Sequence, residues 1–362
     1  MKDQILEVLN KIKSHGYQAY VVGGFPRDLY IGKINKDVDI CTNATPDMIS
    51  KIFETKDEIG IKYGSLTIVY KGYKYEITTF RKEKKYKDNR VPLDVQYINN
   101  LKEDLERRDF IINTLCLDND WNFIYLLGAK NDIDEKIIRT VGNSDKKIKE
   151  DCLRILRAVR FATVLNFNLS DELEKAIKKY KLNLKKLSFE RKKQELDKIF
   201  NSSNVLYGIN LMRNLGLMEA LDLDDTYVSL TSPIGIWFQL DKNLKYPYSK
   251  LEKDIIKDLK ELIDENLNDK YILYKYNINN VLLTADIRNI FKEEIRLNYE
   301  GLTIKNRKDI DITSYEICSI LNLDKRSILK EIYVDLEKNI LYGKVDNNKK
   351  SIKEFLINEY NK

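Results

Sequence analysis

Ile5, Leu6, Leu9 and Ile12 recur at the three-and-four spacing of one helix face, so residues 5–14 predict an amphipathic helix. The period then changes. Residues 18–22 and 38–41 are short apolar runs of strand type. Between them stand Gly23 and Gly24, and Pro26 falls where the first turn of a helix tolerates it. Thr45-Pro46-Asp47 opens another helix, with Thr45 as N-cap and Pro46 at the first helical position. Ser65–Tyr70 and residues 74–80 alternate around Lys71-Gly72-Tyr73 and predict a hairpin. Residues 81–93, RKEKKYKDNRVPL, read as a long charged loop. A short helix is expected over 101–117 and a last strand over 121–127. From about Asn143 the strand period fades. Residues 149–165, 170–180 and Phe189–Phe200 read as helices, and so does most of the remainder. The pattern predicts an α+β head over residues 1–142, a helical neck over 143–204, and an all-α body and tail over 205–362.

Composition narrows the class. A chain of 362 residues, 43% hydrophobic, is long for one core and suits several modules. The net charge of +6 is a mild basic excess of the kind that favours a polyanionic partner. Cys41, Cys116, Cys152 and Cys318 are far apart in sequence and form no CxxC pair, which argues against zinc and disulfide frameworks. His15 is the single histidine, has polar neighbours, and reads as a surface residue. No apolar run approaches the ~18 residues of a membrane span, and no signal-peptide core is present at the start. The expectation is a cytoplasmic protein without a membrane partner.

Candidate chemistry begins in residues 21–40, VVGGFPRDLYIGKINKDVDI. Asp37 and Asp39 are two apart on an expected strand, so their side chains share a face. Carboxylates so placed can share a pair of Mg²⁺ ions about 4 Å apart. The plainer reading is an acidic strand end in solvent, and the preceding GGxxRD argues against it. Gly23 and Gly24 let backbone N–H groups approach a phosphate, and Arg27 adds a bidentate donor. The same glycines also suit an ordinary strand-to-helix turn. Asp28 is expected to pair locally. Arg107 and Arg108 suit triphosphate and ribose oxygens. Asp109 is either a third metal carboxylate, the group that takes a proton from an attacking hydroxyl, or part of a salt-bridged helix face. Glu76 on the second hairpin strand competes for the place of third carboxylate.

In residues 150–161, EDCLRILRAVRF, Asp151, Arg154, Arg157 and Arg160 fall at steps of three beside a stripe of Leu153, Leu156 and Val159. Such a face can be no more than solvated ion pairs, worth tenths of a kcal/mol each. It also fits base recognition. Cytosine and adenine both present an exocyclic amine beside a ring-nitrogen acceptor. A carboxylate can accept from the amine while a guanidinium donates to the ring nitrogen. Uracil and guanine present the opposite polarity. An Asp151–Arg154 pair would accept C and A without a template, leaving Arg157 and Arg160 for phosphate or for orienting the pair. The ERKKQEL segment, with Glu190, Arg191 and Glu195, is expected to pack under that helix.

Together VVGGFPRD, KDVDICTNATP, YEITTFR, RRDFIINTL, KIIRTVGN, EDCLRILRAVRF and ERKKQEL resemble the class II tRNA nucleotidyltransferases. These are the CCA-adding enzymes and their relatives the bacterial poly(A) polymerases. The likeness runs in the family's order over about residues 15–200. It implies a polymerase-β-like nucleotidyltransferase head followed by helical neck, body and tail. It implies Mg²⁺ at Asp37 and Asp39, and nucleotide contacts from Gly24, Arg27, Arg108, Asp151, Arg154, Arg157 and Arg160. The implied reaction adds C, C and A from CTP and ATP to the 3′ end of tRNA. The flexible loop after YEITTFR, residues 82–93, is complete, with Tyr86, Asp88, Arg90 and Pro92, which argues against CC-only addition. A-adding enzymes and poly(A) polymerases remain alternatives, and a non-catalytic RNA-binding protein is the alternative of another class. Departures from the family pattern are Pro26, Lys62 to Ser65, Ile111, Thr114, and the lone Gly128 where a glycine pair is usual.

Overall fold

The computed structural model describes residues 1–54, 64–87, 91–323 and 328–360. It divides into two compact units, Met1–Leu223 and Asp224–Lys362. The expected head and neck, with residues 205–223, lie in the first.

The first unit opens with α1 (Lys2–Ser14), which buries Ile5, Val8, Leu9 and Ile12 along one face. Then follow β1 (Ala19–Val22), α2 (Gly24–Tyr30), β2 (Val38–Thr42), α3 (Pro46–Phe53), β3 (Ser65–Tyr70) and β4 (Tyr73–Thr79). Next come β5 (Arg81–Lys87), β6 (Val91–Tyr97), α4 (Leu101–Glu106), β7 (Cys116–Leu117) and β8 (Phe123–Ile124). One six-stranded sheet has the order β3-β4-β2-β1-β7-β8. β1 is antiparallel to both β2 and β7, whereas β4 runs parallel to β2 and sets Glu76 beside Asp39. Between β3 and β4, Lys71 and Gly72 both have positive φ, 48° and 80°, the combination a tight hairpin turn demands.

Three expectations change here. The charged stretch after β4 is a second antiparallel hairpin, β5 with β6, in which Tyr86 stands opposite Pro92 in register. Val91, Leu93, Val95 and Tyr97 alternate along β6, but its partner RKEKKYK is charged throughout and carries no such pattern, and a two-stranded ribbon satisfies its backbone across the pair all the same. Lys62 and Tyr63, and Asp88 and Arg90 of the same loop reading, lie outside the described residues. The helix expected over 101–117 stops at Glu106, because the fully buried Phe110 takes an extended conformation and bridges to Thr140. The strand expected over 121–127 shrinks to β8.

The neck elements follow: α5 (Ala129–Asp134), β9 (Ile137–Ile138), α6 (Ser144–Glu150), α7 (Leu153–Leu165), β10 (Asn168–Leu169), α8 (Asp171–Tyr180), α9 (Phe189–Phe200) and α10 (Val205–Asn214). The helix expected over 149–165 is therefore two. Asp151 is extended (φ −148°, ψ 106°), and its Oδ1 accepts from the Leu153 N–H at 3.0 Å. That local bond starts α7 as a capping residue does and competes with a continuous helix. α7 buries Ile155, Leu156, Ala158, Val159 and Ala162.

The second unit is helical: α11 (Pro233–Leu240), α12 (Lys250–Leu262), α13 (Lys270–Lys275), α14 (Ile278–Ile287), α15 (Lys292–Glu300), α16 (Ser314–Leu321), α17 (Leu329–Leu341) and α18 (Lys349–Tyr360). Its core gathers Ile317, Ile332, Leu336, Ile340, Ile352 and Leu356. Before α12, the buried Asp241 accepts from Lys245 N, Tyr246 N and the Tyr248 hydroxyl, which fixes the turn. His15 is exposed, and all four cysteines are free thiols. Among the described residues no helix is long and apolar enough to cross a membrane.

Candidate active site

β1 ends in Gly23 at φ 85° and ψ −131°, a conformation that favours glycine. A Cβ there would stand 3.2 Å from Asp39 Oδ2, so the turn and the carboxylate are in close approach. One turn into α2, Arg27 is buried and anchored from two sides. Its Nε and Nη2 donate to Asp28 Oδ1 at 2.9 and 2.7 Å, and Nη1 donates to Asn113 Oδ1 at 2.7 Å. Asp28 thus pairs locally, as expected. These groups open onto a cavity of about 430 Å³ at the meeting of the sheet edge and the neck. Every site residue expected from sequence lines it except Asp37 and the competing carboxylate Glu76.

Asp37 sits one residue before β2, exposed, with its own N–H donating to Asn35 Oδ1 at 2.9 Å. It is not within the strand, as the sequence pattern had it. Asp39 lies in the strand and is half-buried. Burial, and then the Glu76 carboxylate beside it, push the Asp39 carboxyl up to about 6; Asp37 adds to this and Arg108 opposes it. No ion pair joins Asp37, Asp39 or Glu76 to another described residue.

Asp109 has a different place from the one expected of a third metal carboxylate. Its Oδ2 accepts from Arg157 Nε at 2.7 Å and lies 2.5 Å from Arg157 Nη2. Its Oδ1 accepts from Asn113 Nδ2 at 3.1 Å and from the Phe110 N–H at 2.8 Å. Burial acts to raise its pKa, but Arg157 and these hydrogen bonds hold it down to about 2. Both oxygens are committed to the protein, whereas Glu76 stands opposite Asp39 on the parallel strand.

A divalent cation fits this donor set. Asp39 is lifted first by burial and then by the Glu76 carboxylate beside it, and a dication would offset both. Among the described residues no three acidic, His or Cys groups are grouped closely enough to form a closed cage. An open shell of one or two carboxylates, completed by substrate phosphate and water, is the usual protein site for a small, hard, strongly hydrated dication.

Each of the cavity's arginines pairs with a carboxylate, and Arg107 and Arg108 share one. Buried Asp104 accepts from Arg107 Nε at 2.8 Å and from Arg108 Nη2 at 3.3 Å. Arg154 Nη1 donates to Glu150 Oε2 at 3.0 Å and to Lys147 O at 2.6 Å. Arg160 pairs with buried Glu195 of α9 at 3.2 Å, which gives the ERKKQEL helix its part in the site. Asp151 lines the cavity from the break before α7, not from the same helix as Arg154. Two lining residues escape sequence reasoning. Asn113 joins Arg27 to Asp109, and Phe161 lies beneath the arginines. Both sit inside quoted motifs, as the last polar residue of RRDFIIN and the residue after Arg160.

Comparison with known proteins agrees along the whole chain. The family model described as Poly A polymerase head domain matches residues 19–139. A model for an RNA-binding site of polymerase A matches 166–224, and tRNA nucleotidyltransferase domain 2 matches 240–356. The CCA-adding enzyme of Bacillus subtilis (strain 168) is 34% identical over 97% of this chain and 96% of that protein. The one from Staphylococcus haemolyticus is 32% identical over 96% of this chain and 95% of that protein. The crystal structure of the Bacillus stearothermophilus CCA-adding enzyme in complex with CTP is similar at TM-score 0.83, with 27% identity, over 98% of this chain and 96% of that one. A Thermotoga maritima CCA-adding enzyme complexed with tRNA shares the fold at TM-score 0.72, with 20% identity, over 98% of this chain and 95% of that one. A sheet edge carrying an open carboxylate pair, a neck lined with paired arginines and full-length similarity to these relatives lead to one conclusion: the chain belongs to the CCA-adding enzymes, a family of tRNA nucleotidyltransferases.

Proposed function

We propose that this protein adds C, C and A to the 3′ end of tRNA, using CTP and then ATP and releasing pyrophosphate at each step. The observation that carries the reading is one cavity in which Asp39 and the Asp151–Arg154 pair are both lining residues, so metal and base can be addressed together. The 3′-hydroxyl oxygen of the tRNA attacks the α-phosphorus, and the bond from that phosphorus to the pyrophosphate breaks. Mg²⁺ held by Asp37 and Asp39, with Glu76 as third carboxylate, would lower the pKa of the attacking hydroxyl and offset charge on the leaving group. Arg27 and Arg108 hold the triphosphate. Asp151 accepts from the exocyclic amine of C or A, and Arg154 donates to the adjacent ring nitrogen. Asp109 fixes Arg157 and, through Asn113, Arg27. The helical second unit binds the tRNA body, and the reaction takes place in the cytoplasm.

The test uses tRNA ending at the discriminator base, at C, at CC and at CCA, with CTP and ATP supplied separately and together. Two additions from CTP alone, one further addition from ATP, and no extension of CCA ends are expected on a sizing gel. Long A tails would identify a poly(A) polymerase, and activity on CC ends only would identify an A-adding enzyme.

A further inference from the structure

Three of the cavity's arginines meet on one ring. The guanidinium carbon of Arg160 lies 4.2 Å from the Phe161 centroid, that of Arg27 5.2 Å and that of Arg157 5.5 Å. Arg27 comes from α2, the other two from α7, so the ring stands where the helix after β1 meets the neck. It is braced in turn. Phe110, fully buried, meets Phe161 edge-on at 5.7 Å and 78°.

Like charges so close repel one another. Burial, and among its neighbours Arg157 and Arg27, pull the Arg160 pKa down from its ordinary value. The negative face of an aromatic ring offsets this repulsion without spending hydrogen-bond donors. A guanidinium that lies against a ring uses its flat face and keeps its N–H edge free. A further carboxylate would instead occupy that edge, as Asp28, Asp109 and Glu195 already do in part. An aliphatic side chain of similar volume would fill the space and attract no cation.

We propose that Phe161 is a positioning residue for the nucleotide: its face gathers Arg27, Arg157 and Arg160 into one cluster whose N–H edges receive the triphosphate. The proposal rests on the nucleotide-transfer reading above. It concerns the part that CTP and ATP share, so it requires equal effects on both.

The test replaces Phe161 in the full-length protein by mono-, tri- and pentafluorophenylalanine, which keep the ring's shape while draining its negative face. Equilibrium dialysis then measures CTP and ATP binding without tRNA, and KM and kcat are measured with tRNA. Binding should weaken stepwise with fluorination, to about tenfold overall for both nucleotides. KM should rise alongside with kcat little changed, the signature of lost binding common to ground and transition states. F161L should match the most fluorinated ring, and F161Y should recover most of the affinity. A flat response across the fluorine series, an effect on one nucleotide alone, or F161Y as weak as F161L would overturn the proposal and leave Phe161 a packing residue. A wild-type protein that binds neither nucleotide would overturn the function reading, and this proposal with it.

Discussion

The sheet edge and the neck face of the cavity are both crowded with charge, and they handle it in opposite ways. On the neck side every arginine has its own carboxylate: Arg154 has Glu150, Arg157 has Asp109 and Arg160 has Glu195. Those cations are positioned before any ligand arrives. On the sheet side Asp39 and Glu76 stand side by side on parallel strands with no ion pair to another described residue; burial first, and then Glu76, push Asp39 up to about 6 against the opposing Arg108. One half is satisfied from within the fold. The other is where the proposed metal would sit. The difference teaches that charge alone does not mark a metal ligand: Asp109 has both oxygens taken up by Arg157, Asn113 and the Phe110 N–H, which leaves it poorly placed to bind metal.

The largest expected break removes the metal side. Asp39→Ala should lower kcat by roughly a thousandfold, since Lewis-acid stabilisation is worth several kcal/mol, while CTP still binds through the arginines. Residual CMP incorporation near the wild-type rate would remove Asp39 from the chemistry. Next, the two candidate third carboxylates should separate by kind of effect. Asp109→Ala leaves Arg157 without its partner and should cost about 3 kcal/mol of stability in urea unfolding, with Mg²⁺ dependence unchanged. Glu76→Gln should raise the Mg²⁺ requirement and leave unfolding unchanged or slightly more resistant, because repulsion on Asp39 is relieved. If the two results are interchanged, the assignment of Glu76 fails.

A smaller effect belongs to base choice. Exchanging Asp151 and Arg154 should shift preference from CTP and ATP toward UTP and GTP by roughly ten- to a hundredfold in kcat/KM, as mismatched donors and acceptors do. Unchanged selection would deny the pair its role. The smallest is the pH response. The folded-state pKa of Asp39 is raised, so its contribution to stability is present below about 3.8 and is lost as pH rises through about 6. Above that the carboxylate is charged and available for the proposed metal, and below it protons compete. The Mg²⁺ concentration for half-maximal activity should therefore climb as pH falls below about 6, by up to about tenfold per unit. A flat Mg²⁺ requirement between pH 7 and 5 would contradict this environment.

Much of the site was legible because its residues come in short continuous segments. Residues 21–40 hold a strand end, a glycine turn, an arginine and two aspartates, and each of these is a statement about neighbours in sequence. Arg154, Arg157 and Arg160 follow helix periodicity, and so does the buried stripe beneath them. The Lys71-Gly72 turn is likewise local. The break at Asp151 was misread because periodicity spans it smoothly, while one side-chain bond to the Leu153 N–H interrupts the helix. The β5–β6 hairpin is hard to see because β5 is charged throughout, and a loop that ends at Leu93 cuts the alternation of Val91, Leu93, Val95 and Tyr97 in two.

By itself the sequence determined which chemical groups this protein brings together: two carboxylates two residues apart, arginines beside a glycine turn, and an Asp151–Arg154 pair of opposite hydrogen-bonding polarity. Only the tertiary structure decided which carboxylate serves which partner. Glu76 reaches Asp39 through the register of two parallel strands, and Asp109 reaches Arg157 across 48 positions of chain. Ion pairing and desolvation depend on distance in space, and sequence separation carries no record of it.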